Sequence, residues 1–95
     1  MQRVSLTQLE ILVKRINEAT GMPVTPYTRV NNVTVANVGN YHIDEAYGGV
    51  SLCQMSDMGG VYTILERSTK RELFYQLHAF LAGMATMALR RKVKS

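Results

Sequence analysis

The chain reads as an α+β domain: a three- to four-stranded antiparallel meander with an N-terminal helix and a long C-terminal helix on one face, in the order α-β-β-β-α. Three observations predict this. Apolar residues recur at helical spacing near each end of the chain. Between those segments, strand-like runs are punctuated by Gly-Gly pairs. And 95 residues, 46% of them hydrophobic, suit a single modest core.

The first helix is marked by Leu9, Leu12, Val13 and Ile16, which fall on one face. Thr7 with Glu10 fits a capping box, and Ser5 is an alternative start. Gly21 supplies a left-handed terminator and Pro23 blocks continuation, so the helix should run from about Thr7 to Thr20. Pro23 and Pro26 then impose an extended connection. Val30, Val33 and Val35 suggest a short strand or an irregular hairpin broken by Asn and Gly.

Tyr41–Tyr47 and Val50–Ser56 flank Gly48-Gly49, which reads as a two-residue turn with positive φ at both positions. Val61–Glu66 follows the loop DMGG and completes the meander. Neither GxGxxG nor GxxxxGK[ST] is present, so turn chemistry accounts for these glycines better than a phosphate-cradling loop does. A second capping box, Thr69 with Glu72, opens the last helix, which extends to about Lys92. Leu73, Leu77, Phe80, Leu81, Met84 and Ala88 mark its inner face. Its second half, Ala79–Leu89, is uncharged all round and needs cover on more than one side. Ala79 and Gly83 permit close helix approach, so a homodimer through this helix is expected.

A turn at Gly48-Gly49 pairs Tyr47 with Val50, Glu45 with Leu52, Asp44 with Cys53 and His42 with Met55. Tyr41, Ile43, Glu45, Tyr47, Val50, Leu52 and Gln54 then share the core face. His42, Asp44, Ser51, Cys53 and Met55 fall on the other face, with the Asp57–Gly60 loop at its edge, and form the candidate binding surface. Methionines such as Met55 and Met58 suit adaptable interfaces. Cys53 near His42 resembles a nucleophile pair, but a neighbouring carboxylate opposes thiolate formation and a flat hairpin offers no oxyanion donor. A half-polar sheet face with a small buried thiol is the better reading, and no catalytic residue is assigned. His42, Asp44, Cys53 and His78 lack metal-ligand spacing, so neither a metal nor a cofactor is expected. Tyr41, Tyr47 and Tyr62 could stack bases, but this register buries the first two.

The net charge of +4 comes from eleven Lys/Arg against seven Asp/Glu, and Arg90, Arg91, Lys92 and Lys94 carry the excess. Residues 1–89 form the expected domain and are electrically balanced; 90–95 form a basic tail. That tail, with Lys70 and Arg71, is the candidate nucleic-acid contact, although a basic end equally complements a helix dipole. The start of the chain lacks an uninterrupted apolar run and a cleavage site, no stretch suits a membrane span, and a cytoplasmic protein is expected.

INEATGMPVTPYT, NVGNYHIDEAYGGVSLCQM and TKRELFYQLHAFLAGM together resemble a family of small uncharacterised proteins of tailed bacteriophages and prophages. The resemblance spans roughly residues 9–84 and leaves the basic tail outside. It implies a phage or prophage origin, with the cytoplasm of the bacterial host as the compartment, and brings no catalytic residues. It favours an accessory role: a non-enzymatic protein that binds a host protein and modulates defence or metabolism. Nucleic-acid binding through the tail is the alternative.

Overall fold

The computed structural model describes residues 3–57 and 60–94, with backbone alone over 87–94. Its elements bear out the α+β reading: an N-terminal helix, five antiparallel strands in two small sheets, and a C-terminal helix against the first helix and the larger sheet.

Helix α1 (Leu6–Thr20) starts at the alternative cap. The Ser5 hydroxyl accepts from the Gln8 amide at 3.2 Å, and Gln8 Oε1 accepts from the Ser5 amide at 2.7 Å. Thr7 with Glu10 is therefore not the box. Starting at Ser5 places Val4 just before the cap, where it packs on the core cluster that holds Leu9, in the manner of a hydrophobic staple. Gly21 ends the helix at φ 73°, as its position before Pro23 predicts, and Met22 N–H closes onto the Asn17 carbonyl at 2.8 Å.

Strands β1 (Tyr27–Val30) and β2 (Val33–Ala36) form a separate hairpin. Asn31 and Asn32, at φ 49° and 65°, make its two-residue turn. The asparagines expected to break this segment are what folds it.

The larger sheet is β3 (Tyr41–Ala46), β4 (Gly49–Met55) and β5 (Val61–Ser68), with β4 central. The β3–β4 turn sits one residue earlier than expected, at Tyr47 and Gly48, with φ 52° and 74°. Gly49 is the first residue of β4, opposite Ala46. Its missing side chain serves close approach instead: a Cβ there would stand 2.8 Å from Arg67 Cγ and 3.1 Å from the Ser68 carbonyl. The observed pairs are Tyr41–Gln54, Ile43–Leu52, Glu45–Val50, His42–Cys53 and Asp44–Ser51. Because the register moves by two residues, each residue keeps its face although every partner changes. Tyr47 is the exception: it leaves the core side altogether and is 98% exposed in the turn.

Helix α2 (Lys70–Lys94) opens on the expected capping box, with the Glu72 amide donating to Thr69 Oγ1 at 3.1 Å and the Thr69 amide to Glu72 Oε1 at 3.3 Å. Leu73 and Leu77 are fully buried, and Phe80, Leu81 and Met84 pack beside them. Ala88 lies outside the described side chains. The core joins Leu9, Leu12, Val13 and Ile16 of α1 to Val50 and Leu52 of β4 and to these leucines. α1 lies along β3, while α2 covers β4 and β5. That division leaves one flank of α1 above the free edge of β3.

Candidate interaction surfaces

The face opposite the helices holds the five residues singled out from the sequence. β4 is the middle strand, so Ser51, Cys53 and Met55 are walled in on both sides and are buried. His42 is half-buried and Asp44 is exposed. Cys53 faces His42 rather than Asp44, and its Sγ lies 3.7 Å from Ser51 Oγ. His42 Nδ1 is buried and has no hydrogen-bond partner among the described atoms. Asp44 is engaged elsewhere: Arg67 Nη2 donates to its Oδ2 at 3.1 Å. Arg67 also donates to the Ala46 carbonyl at 2.8 Å and lies 5.7 Å from the Tyr47 ring centroid. It clasps the whole β3–β4 hairpin from β5. Sequence patterning gives no sign of this role, because it depends on which strand becomes the neighbour.

Among the described residues, no three His, Cys, Asp or Glu side chains are placed to hold a metal. Met58 of the candidate surface lies outside the described residues, as do the side chains of Arg90, Arg91, Lys92 and Lys94. Lys70 and Arg71 are exposed on the first turn of α2, and Lys70 stands beside the Gly48-Gly49 end of the hairpin.

Two features draw more attention than that face. The first is the β1–β2 hairpin, an arm whose strand residues are all exposed except the half-buried Ala36. Its register places Thr28, Val30, Val33 and Val35 on one face and Tyr27, Arg29, Thr34 and Ala36 on the other. Val30 is 52% exposed and Val33 60%. The arm's base is nonetheless well fixed. Asn37 Nδ2 donates to the Thr25 carbonyl at 2.9 Å and to Thr28 Oγ1 at 2.8 Å, while its amide reaches the Pro26 carbonyl at 2.8 Å. Asn40 Nδ2 donates to the Pro23 carbonyl at 2.8 Å and ties the connection to the sheet.

The second feature is a groove of about 630 Å³ between α1 and the edge of β3. Leu6, Glu10, Val13 and Lys14 form the helix wall; Ile43 and Glu45 form the strand wall. Val24 and Pro26 close one end, directly before the arm begins. Asn17, fully buried, closes the strand edge at Tyr41: its Nδ2 donates to the Tyr41 carbonyl at 2.9 Å and its Oδ1 accepts from the Tyr41 amide at 2.7 Å. A side-chain amide here takes the place of a neighbouring strand. The sequence carries a sign of it, an Asn four residues beyond Val13 on an otherwise apolar stripe.

Comparison of the chain with family models, curated proteins and solved structures finds no match. Among the described residues, no helix is long and apolar enough to cross a membrane.

Proposed function

We propose that this chain is a small non-enzymatic accessory protein, of phage or prophage origin, that works in the host cytoplasm by binding a host protein. The observation that carries the reading is the valine face of the arm. Val30, Val33 and Val35 share one face of a hairpin with a hydrogen-bonded base, and among the described residues none buries them: each keeps about half or more of its surface exposed. Isolated exposed apolar residues are ordinary, but a contiguous apolar set on a rigid projection is what a protein partner covers. Asp44 and the rim of His42 supply polar neighbours on the larger sheet's open face. The resemblance to phage proteins supports the choice of a host partner.

The test is a pull-down from bacterial lysate with tagged full-length chain, with a version ending at Leu89 and with a Val33→Lys/Val35→Lys double variant, each with and without nuclease. A defined protein retained after nuclease and tail removal, and lost with the double variant, is the expected result. Capture that disappears with nuclease or with the tail would put nucleic acid in the protein's place, through Arg90, Arg91, Lys92 and Lys94, with Lys70 and Arg71 beside them. The uncharged run of α2 leaves Ala79, Ala82 and Gly83 exposed, which supports a helix-to-helix homodimer as a second mode of association.

A further inference from the structure

We infer that the edge of β3 is a docking site for an extended segment of a partner protein, which adds to the sheet as an antiparallel strand and places a Lys or Arg side chain between Glu10 and Glu45. The inference rests on the reading of the molecule as a protein-binding protein, and it uses a surface separate from the arm's valine face.

The backbone asks for a strand. Ala46 and Gly49 close the two-residue turn of the β3–β4 hairpin, so Ala46, Asp44 and His42 turn their main-chain groups toward β4. Those of Tyr41, Ile43 and Glu45 therefore point outward. Tyr41 fits this phase, since both its groups bond to Asn17 of α1 rather than to β4. Among the described residues, no strand pairs with Ile43 or Glu45 on that side. The sheet's other edge is a poorer template. β5 carries two register shifts against β4, whereas β3 runs in unbroken register, and shifts of this kind turn an edge away from further pairing. An antiparallel strand laid along β3 exchanges both main-chain groups with Ile43 and with Glu45, and Asn17 stops it short of Tyr41.

The walls set the side chains. Asn17 pins α1 to Tyr41, and both elements run from that point along the groove. Glu10 precedes Asn17 by seven residues, about 10 Å along a helix. Glu45 follows Tyr41 by four residues, about 13 Å along a strand. The two carboxylates therefore face the same stretch of the groove. By the same measure Val13 and Ile43 both lie about 6–7 Å from the pin and stand level with each other. Residues directly opposite on paired strands share a face. The incoming residue opposite Glu45 thus enters between two carboxylates, and the one opposite Ile43, two positions later, meets Ile43 and Val13. Among the described residues neither Glu10 nor Glu45 has an ion-pair partner, and Lys14 is the single Lys or Arg of the walls. A Lys or Arg followed two residues on by an apolar side chain satisfies both walls. The groove's volume, about 630 Å³, lies within the range of ligand sites.

Selection of a displayed random octapeptide library on the immobilised full-length chain supplies the probes. Enriched sequences should share a Lys or Arg followed two residues later by an apolar residue. A capped synthetic peptide of that sequence should protect the Ile43 and Glu45 amides from hydrogen exchange. N-methylation of its basic or its apolar residue removes a donor to β3 and should weaken binding by roughly tenfold or more, while N-methylation of the residue between them should change little. Glu10→Lys/Glu45→Lys, at two exposed positions, should lose the peptide by a similar factor and switch the enriched residue from basic to acidic. An empty selection, a peptide indifferent to the charge reversal, or equal effects of N-methylation at all three residues would each overturn the inference. So would protection of the two amides by the chain alone, rising with its concentration, which would give the edge to a second copy. Val33→Lys/Val35→Lys should leave peptide binding unchanged. A peptide lost with that variant would sit on the arm, overturning this site while leaving the valine face as the place of host binding.

Discussion

The two hairpins of this chain are built alike and end up in opposite environments. Both β1–β2 and β3–β4 close through a two-residue turn with positive φ at both central residues, Asn31-Asn32 in one and Tyr47-Gly48 in the other. Yet Val50 and Leu52 are buried under two helices, while Val30 and Val33 stand in the open. Turn chemistry makes a hairpin; it does not decide whether the hairpin is covered. A two-stranded hairpin alone is marginal in water, so the arm needs Asn37 and the Pro23–Pro26 connection to hold it where burial does not. The difference locates stability in the sheet and availability in the arm.

Cutting back each hairpin's apolar face should show the largest contrast. Leu52→Ala, at a fully buried position, is expected to cost about 2–5 kcal/mol in urea unfolding. Val33→Ala should stay within about 0.5 kcal/mol, as exposed positions do. Equal losses at both sites would mean the arm is buried in solution.

Next in size is the edge strand's closure. Asn17→Leu leaves the Tyr41 amide and carbonyl without their partner, and about 1–3 kcal/mol of stability should go with them. Asn37→Ala at the arm's base should behave differently, with faster amide exchange confined to residues 27–36 and little change in global unfolding. A global loss from Asn37→Ala as large as that from Asn17→Leu would erase the distinction between the two regions.

The smallest effects concern the turns. Tyr47→Asn gives the sheet hairpin the turn chemistry of the arm, and should stabilise it by roughly 0.5–1 kcal/mol because Asn tolerates positive φ better than Tyr. Thermal unfolding reads it directly. Against that gain stands the solvent-exposed Tyr47 ring, 5.7 Å from the Arg67 guanidinium. A net loss on substitution would show that the clasp outweighs backbone strain.

Much of the architecture could be read along the chain. The stripe Leu9, Leu12, Val13, Ile16 and the stop at Gly21 need only helical periodicity and one left-handed residue. Thr69 with Glu72 likewise announces the second helix locally. The first helix had two credible caps, and local rules ranked them wrongly, because what favours Ser5 is the packing of Val4 on a core assembled from distant segments. Gly48-Gly49 misled for a related reason. Two adjacent glycines satisfy a turn by themselves, and only the arrival of β5 shows that Gly49 is kept small by Arg67 and Ser68.

The candidate surface divides in the same way. Alternation correctly placed His42, Asp44, Ser51, Cys53 and Met55 on one face, since a two-residue register error preserves parity. It could not foresee that the central position of β4 buries three of them. The arm's valines were visible as valines, but an isolated strand pattern looks the same whether it is core or projection.

By itself, then, the sequence determined the two helices, the three strands of the larger sheet to within a residue or two, and the side of the sheet on which each residue of β3 and β4 lies. These follow from backbone sterics and from periodicities of two and 3.6, which act between near neighbours. Tertiary structure alone decided which hairpin is covered, which strand edge stays open and what Asn17 and Arg67 do there. Those outcomes depend on contacts between residues more than twenty apart in the chain, Asn17 with Tyr41 and Asp44 with Arg67, and no short window of sequence contains both partners.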